Sequence, residues 1–219
     1  MDILALVQNN PQLFNDDACR EIKPKKYIYR QGDPAEWLYF LVEGAVRIVR
    51  INFDGEEEVL SYLIAPNIVG IHNVFKADET EKAQISIISE TACRYYKVSC
   101  ARLKQQKNYS DLLEAILITL GEQSREYRNI AVHCLENRSA NAVCEMLLNF
   151  SEYVDGRLVV NKWFKYIDLA NYLKINISTV SRIIRKLKEN GIIQIEEKRI
   201  LIMDEIVLRN YAAGMKMED

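Results

Sequence analysis

Between Asn176 and Ile193 the chain reads NISTVSRIIRKLKENGII. Hydroxyls at Ser178, Thr179 and Ser181 are followed by guanidiniums at Arg182 and Arg185 and ammonium groups at Lys186 and Lys188. At 3.6 residues per turn, Ile177, Ser178, Ser181, Arg182 and Arg185 share one face of a helix, and Val180, Ile183, Ile184 and Leu187 share the opposite one. The apolar stripe would dock the helix on a core. The outer face carries the chemistry of base recognition. A guanidinium such as Arg182 donates two parallel hydrogen bonds to O6 and N7 of guanine, worth about 1–3 kcal/mol of discrimination, whereas hydroxyls such as Ser178 and Ser181 specify weakly. Lys186, Lys188, Lys198 and Arg199 suit phosphates, which set register and salt dependence more than sequence. An ordinary surface helix can carry the same charges, so the neighbouring elements decide between the two readings.

Those neighbours favour recognition. YIDLANYL (Tyr166–Leu173) has the spacing of a short helix with Ile167, Leu169, Ala170 and Leu173 inward. Lys174-Ile175-Asn176 forms a tight connection, Asn176 is a natural N-cap, and Gly191 ends the second helix. IIQI, EEKR and ILIM then read as a hairpin with a charged tip. Helix, three-residue turn, helix and hairpin make a winged helix-turn-helix pattern, whose second helix enters the major groove. Upstream, SANAVCEMLLNFSEYV reads as a helix capped by Ser139, and Asp155-Gly156 turns it into a short strand pair in RLVVNKWF.

Charge is distributed accordingly. The formal net charge of the 219 residues is −2, yet Lys162 to Arg199 holds nine Lys and Arg against four acids, leaving the remainder at −7. A basic segment on an acidic body suggests a local polyanion footprint. No segment approaches the ~18 uninterrupted apolar residues of a membrane span, and the N-terminus lacks the basic start of a signal peptide, so no membrane partner and a cytoplasmic location are expected. The five cysteines include no CxxC pair, and His72 and His133 are the two histidines. Without a phosphate-cradling glycine motif or a nucleophile elbow, the chain is not expected to be an enzyme.

From about Glu21 to Val98 short alternating runs (YIYR, WLYFLV, AVRIVRI, EVLSYLI, AQISIIS, CRYYKV) alternate with turn residues. Asp54-Gly55 predicts a type I′ hairpin, in which both central residues have positive φ. Leu113, Ile116, Leu120, Gln123, Tyr127, Ile130 and Cys134 then follow a 3-4 spacing, a heptad seam in a long helix that Leu112, Leu117 and Ala131 widen. One edge of that helix would cover the strands and the other would pair with a second copy in a parallel homodimer. The expected class is α+β: an N-terminal β-roll of the double-stranded β-helix or jelly-roll type (1–109), a central dimerisation helix (110–137), and a C-terminal winged helix-turn-helix (138–219).

RQGDPAEWLYFLVEGAVRIVRINFDGEEEVLSYL, the long seam, and DLANYLKINISTVSRIIRKLKENGII together resemble the CRP/FNR family of bacterial transcription regulators over nearly the whole chain; Thr179-Val180-Ser181-Arg182 is the most specific part. The resemblance implies a homodimer on an inverted-repeat (palindromic) operator in double-stranded DNA, and contact with RNA polymerase when acting as an activator. It places an effector pocket at Gly70, Ile71, His72, Ala83 and Gln84, with Tyr127 and Arg128 from the long helix. Members that bind cyclic AMP carry Gly-Glu-Leu and Arg-Ser/Thr-Ala there; the aligned Gly70-Ile71-His72 and Ala83-Gln84-Ile85 have neither the acid nor the base. A cyclic nucleotide would leave its phosphate unpaired, at several kcal/mol, so cyclic AMP is not expected and any effector is a different small molecule. The iron–sulfur branch needs clustered N-terminal cysteines, where Cys19 is alone, so a cluster is not expected either. A haem-sensing branch uses a histidine nearby, so His72 leaves haem open, against the plainer reading of a loop histidine. Where relatives use a glutamate to accept from cytosine, this chain has Ser178. The alternative function is a ligand-binding regulatory module acting on a protein partner, which would have no use for the basic helix and wing.

Overall fold

The computed structural model describes residues 3–14, 19–76, 80–136 and 138–216. It divides into two compact units, Met1–Ser124 and Arg125–Asp219, and the division falls inside one long helix. In chain order the first unit holds α1 (Ile3–Asn9), β1 (Cys19–Ile22), β2 (Tyr27–Tyr29), β3 (Trp37–Glu43), β4 (Ala45–Ile51), β5 (Glu57–Ile64) and β6 (Asn67–Val69). A 3-10 turn (Ile71–Val74), β7 (Ser86–Ser89), β8 (Cys93–Ser99), α2 (Cys100–Lys104) and the first part of α3 (Tyr109–Leu135) follow.

The strands form two antiparallel sheets, β1-β8-β3-β6 and β2-β7-β4-β5. In β3, WLYFLVE, successive side chains go to opposite faces. Tyr39 and Leu41 join Val46, Ile48, Leu63 and Ile87 between the sheets, while Leu38 and Phe40 join Phe14, Leu103, Leu112 and Ile116 under the helices. A strand buried on both faces reads as a continuous apolar run, as this one does. Gly44, with φ +91°, makes the β3–β4 turn; a Cβ there would lie 2.3 Å from the Ala92 carbonyl oxygen.

The β4–β5 hairpin departs from the expected two-residue turn. Gly55 has φ +81°, Asp54 is not in the left-handed region, Gly55 N–H donates to the Asn52 carbonyl (3.1 Å) and Asn52 N–H to the Glu56 carbonyl (3.0 Å). This is the three-residue loop with one left-handed residue. The Asn52 side chain favours it by accepting from Asp54 N–H (3.0 Å) and Glu56 N–H (2.9 Å).

The heptad seam also resolves differently. Ile116 is buried in the helix-side core with Leu112, and Leu120 packs on it. The Gln123 amide donates to Asn67 Oδ1 (2.8 Å) and the Ile68 carbonyl (2.9 Å). Leu113 is half-buried, Ile130 is buried in the second unit, Tyr127 is exposed, and the Cys134 side chain lies outside the described residues. The seam from Ile116 to Gln123 therefore serves the chain's own roll. Besides Tyr127 on the seam itself, the apolar side chains left in solvent lie off it: Leu117 (48% exposed) and Leu135 (83%) one residue, or about 100°, past a seam position, and Ile118 and Val132 two residues past one, with open space beside Gly121.

The second unit continues with α4 (Ser139–Asn149), β9 (Ser151–Val154), β10 (Arg157–Val160), α5 (Tyr166–Leu173), α6 (Ile177–Glu189), β11 (Ile193–Glu196), β12 (Arg199–Ile202) and α7 (Glu205–Ala212). The first of these is shorter than its sequence suggests. Arg138, not Ser139, occupies the N-cap, its carbonyl accepting from Ala142 N–H (3.1 Å). After Asn149 the chain extends, because Asp155 and Gly156, both at positive φ, make a two-residue turn that pairs Tyr153 with Leu158. The strand pair is thus β9 with β10, in a four-stranded sheet ordered β11-β12-β10-β9. Phe150 stacks on Phe164 (4.1 Å between centroids) beneath it.

Candidate nucleic-acid interface

Helix α6 is held by its ends and one face. The Asn176 side chain accepts from Ser178 N–H (2.9 Å) at the start, and at the far end Gly191, at φ +70°, lets Ile192 N–H return to the Leu187 carbonyl (2.9 Å). Val180, Ile183, Ile184 and Leu187 are all buried, as the periodicity requires. Leu169, Ala170 and Leu173 of α5 are buried too, but Ile167 is 47% exposed and not part of that core. Lys174, left-handed at φ 54°, closes α5 and starts the turn into α6.

Docking that stripe leaves the other face outward. Ile177, Ser178, Ser181, Arg182, Arg185 and Lys188 are exposed, and Thr179 and Lys186 are half-buried. Ser178 Oγ donates to Asn176 Oδ1 (2.8 Å) and Ser181 Oγ to the Ile177 carbonyl (3.0 Å). Arg185 Nε stands 3.8 Å from a Glu189 carboxylate oxygen, a solvated pair worth little in stability. Among the described residues no carboxylate lies within ion-pairing distance of Arg182, so its planar donor fork is available. The hairpin β11–β12 turns on Glu197 (φ 48°) and Lys198 (φ 64°), which leaves both side chains exposed at the tip. Arg199 sits at the root of the tip, opposite Glu196, with its Nε buried and lacking a hydrogen-bond partner among the described residues.

The effector residues are brought together in part. A cavity of about 250 Å³ in the first unit is lined by Gly70, His72, Ala83 and Gln84, as expected, but also by Tyr29, Asn73, Lys76, Glu81 and Lys82. Ile71 is not part of it; its side chain is buried in the helix-side core. Tyr127 and Arg128 belong to the second unit. The aligned Gly70-Ile71-His72 and Ala83-Gln84-Ile85 still carry neither acid nor base, but charged groups reach the cavity from other positions: Lys76 after the 3-10 turn, and Glu81 and Lys82 before Ala83. Asn73 donates to the Trp37 carbonyl (2.8 Å) and to the Tyr29 hydroxyl (3.4 Å). Burial pushes the Tyr29 phenol up, so it stays protonated at neutral pH. Alignment by short motif missed these groups because the turn after Gly70 and the segment before Ala83 converge only in the fold.

His72 is exposed at this cavity. No cluster of three or more His, Cys, Asp or Glu able to hold a metal occurs among the described residues.

A β-roll unit followed by a helix-turn-helix with a wing defines a sensor-type domain joined to a DNA-binding domain. Comparison with known proteins agrees: residues 19–108 match the cyclic nucleotide-binding domain and residues 141–211 the Crp-like helix-turn-helix domain. The chain belongs to the CRP/FNR family of bacterial transcription regulators. It is 29% identical over 189 residues to the nitrogen fixation regulation protein FixK of Rhizobium meliloti, covering 86% of this chain and 84% of that one. It is 22% identical over 200 residues to the transcriptional activator protein anr of Pseudomonas aeruginosa, covering 89% and 80%. The solved structure of FixK2 from Bradyrhizobium japonicum superposes with a TM-score of 0.73 at 18% identity, covering 90% of this chain and 98% of that one. These relatives are regulators rather than enzymes. Among the described residues no helix is long and apolar enough to cross a membrane.

Proposed function

We propose that the chain acts as a homodimer on double-stranded DNA, each α6 reading one half of an inverted-repeat operator. The observation that carries this reading is the outward face of α6, where Arg182 stands exposed beside Ser178 and Ser181 while the opposite stripe is buried. Arg182 pairs with guanine, Ile177 and Thr179 make apolar contacts, and Arg185, Lys186, Lys188, Lys198 and Arg199 neutralise phosphates. Self-association runs along α3 through its exposed Leu117, Ile118, Val132 and Leu135 and the open Gly121. A module acting only on a protein partner has no need of the α6 face.

The roll is the sensing element. Its cavity, at about 250 Å³, lies below the ~300–1,000 Å³ of ordinary ligand sites. The aligned Gly70-Ile71-His72 and Ala83-Gln84-Ile85, without the acid and base that hold cyclic AMP in relatives, favour a different small molecule or no effector at all. The anr relative is by name a transcriptional activator, and if this chain activates as well, RNA polymerase is its protein partner.

Selection of bound duplexes from a random pool tests the reading. An inverted repeat with a guanine in each half-site is expected, and its enrichment is lost with Arg182→Ala. A pool that stays random with the wild-type protein at low salt, with or without candidate effectors, contradicts it.

A further inference from the structure

We propose that Ser178 and Ser181 read exocyclic amino groups of the operator, adenine N6 or cytosine N4, and that Asn176 is the positioning residue that sets this polarity at Ser178. The inference rests on α6 reading DNA and adds which chemical group each hydroxyl faces.

A serine hydroxyl has one proton and two lone pairs, and a freely turning serine pairs with either a donor or an acceptor. Neither serine on this face turns freely. Asn176 presents one atom to both the backbone N–H of Ser178 (2.9 Å) and the Ser178 hydroxyl (2.8 Å). A backbone N–H can only donate, so that atom is the amide oxygen, not the amide nitrogen. An amide oxygen has no proton to give, so the Ser178 hydroxyl must supply the one between them. Ser181 stands in the same position toward the Ile177 carbonyl, 3.0 Å away and four residues back, which also can only accept. Both hydroxyl protons are committed to the protein, and only lone pairs remain toward the groove.

Acceptors of this kind match amino groups and repel the keto oxygens and N7 of the bases. Arg182, one turn beyond Ser178 on the same face, has donors only and matches the keto side of guanine. The α6 surface therefore carries a fixed pattern of acceptor and donor. Ser178 keeps the accepting polarity of a carboxylate with a shorter reach and no charge.

The test couples side chains to single base groups in the selected operator. Duplexes lacking one amino group carry purine for adenine or 2-pyrimidinone for cytosine. Duplexes lacking one keto oxygen carry 2-aminopurine for guanine or 5-methyl-2-pyrimidinone for thymine. Removing one particular amino group per half-site is expected to weaken wild-type binding about five-fold, and Ser178→Ala to abolish that loss while the response to guanine changes persists. Asn176→Asp, which keeps the accepting oxygen, retains the coupling. Asn176→Gly, a tolerated N-cap without that oxygen, drops it below two-fold with the helix still folded by circular dichroism. Coupling of either serine to a keto oxygen, or of Ser178 to no base group, overturns the proposal. Failure of the DNA reading itself looks different, since no operator is then selected and Arg182→Ala changes nothing.

Discussion

At Gly44 one hydrogen atom decides whether the roll closes. A Cβ would meet the Ala92 carbonyl oxygen at 2.3 Å and Cys93 Sγ and Thr91 Oγ1 at 2.8 Å, with φ at +91°. Gly55 has a similar φ of +81° but nothing within 4 Å. Gly55→Ala is therefore expected to cost only the left-handed penalty of about 1–2 kcal/mol. Gly44→Ala adds overpacking of about 1–3 kcal/mol to that, and denaturant titration of the two variants checks the ordering. Cys144 shows burial acting on chemistry instead of shape. Removal from water pushes its thiol up from 9.0 to about 12. The neutral thiol is the folded form, so its contribution to stability is intact below pH 9 and declines as pH rises toward 12. Alkylation of Cys144 at pH 8 is expected to track unfolding, and rapid labelling of the native protein would contradict this placement.

Helix α3 illustrates what a one-dimensional pattern can and cannot tell at the level of elements. Its existence and its apolar spacing were legible, because a 3-4 repeat sustained from Leu113 to Ile130 has no other regular solution. Which stripe meets which partner was not, because Ile116 and Leu117 are equally apolar as letters and differ only in what the fold brings beneath them. The same limit explains Ile167 of α5, Ile71, and the end of α4 at Asn149, where a turn six residues downstream decides the local state. By contrast α6, its Asn176 cap and its buried stripe were read directly, since each is local and the polar and apolar faces differ sharply. The reassigned stripe makes an expectation. Leu117→Glu should shift sedimentation from dimer toward monomer with the unfolding midpoint little changed, because Leu117 is 48% exposed in the single chain. Ile116→Glu should instead destabilise the roll. A dimer that tolerates glutamate at both Leu117 and Leu135 would sink the assignment.

Considered as a whole molecule, the chain is weakly acidic with one basic region, and DNA binding must overcome the repulsion of the acidic remainder. Affinity should therefore fall steeply with salt, and Lys188→Ala should lower the slope of log K against log salt by about 1 per lost phosphate contact while leaving base preferences alone. Arg182→Ala should do the opposite, altering preference more than slope. The most direct measurement is the ratio of affinities for the selected operator and a scrambled duplex of equal length, taken at one salt concentration for wild type and Arg182→Ala. The wild-type ratio is expected to reach about 10³ or more and to fall at least ten-fold in the variant, with sedimentation showing the same oligomer for both. Equal ratios for the two proteins would contradict the assignment of α6 as the reading element.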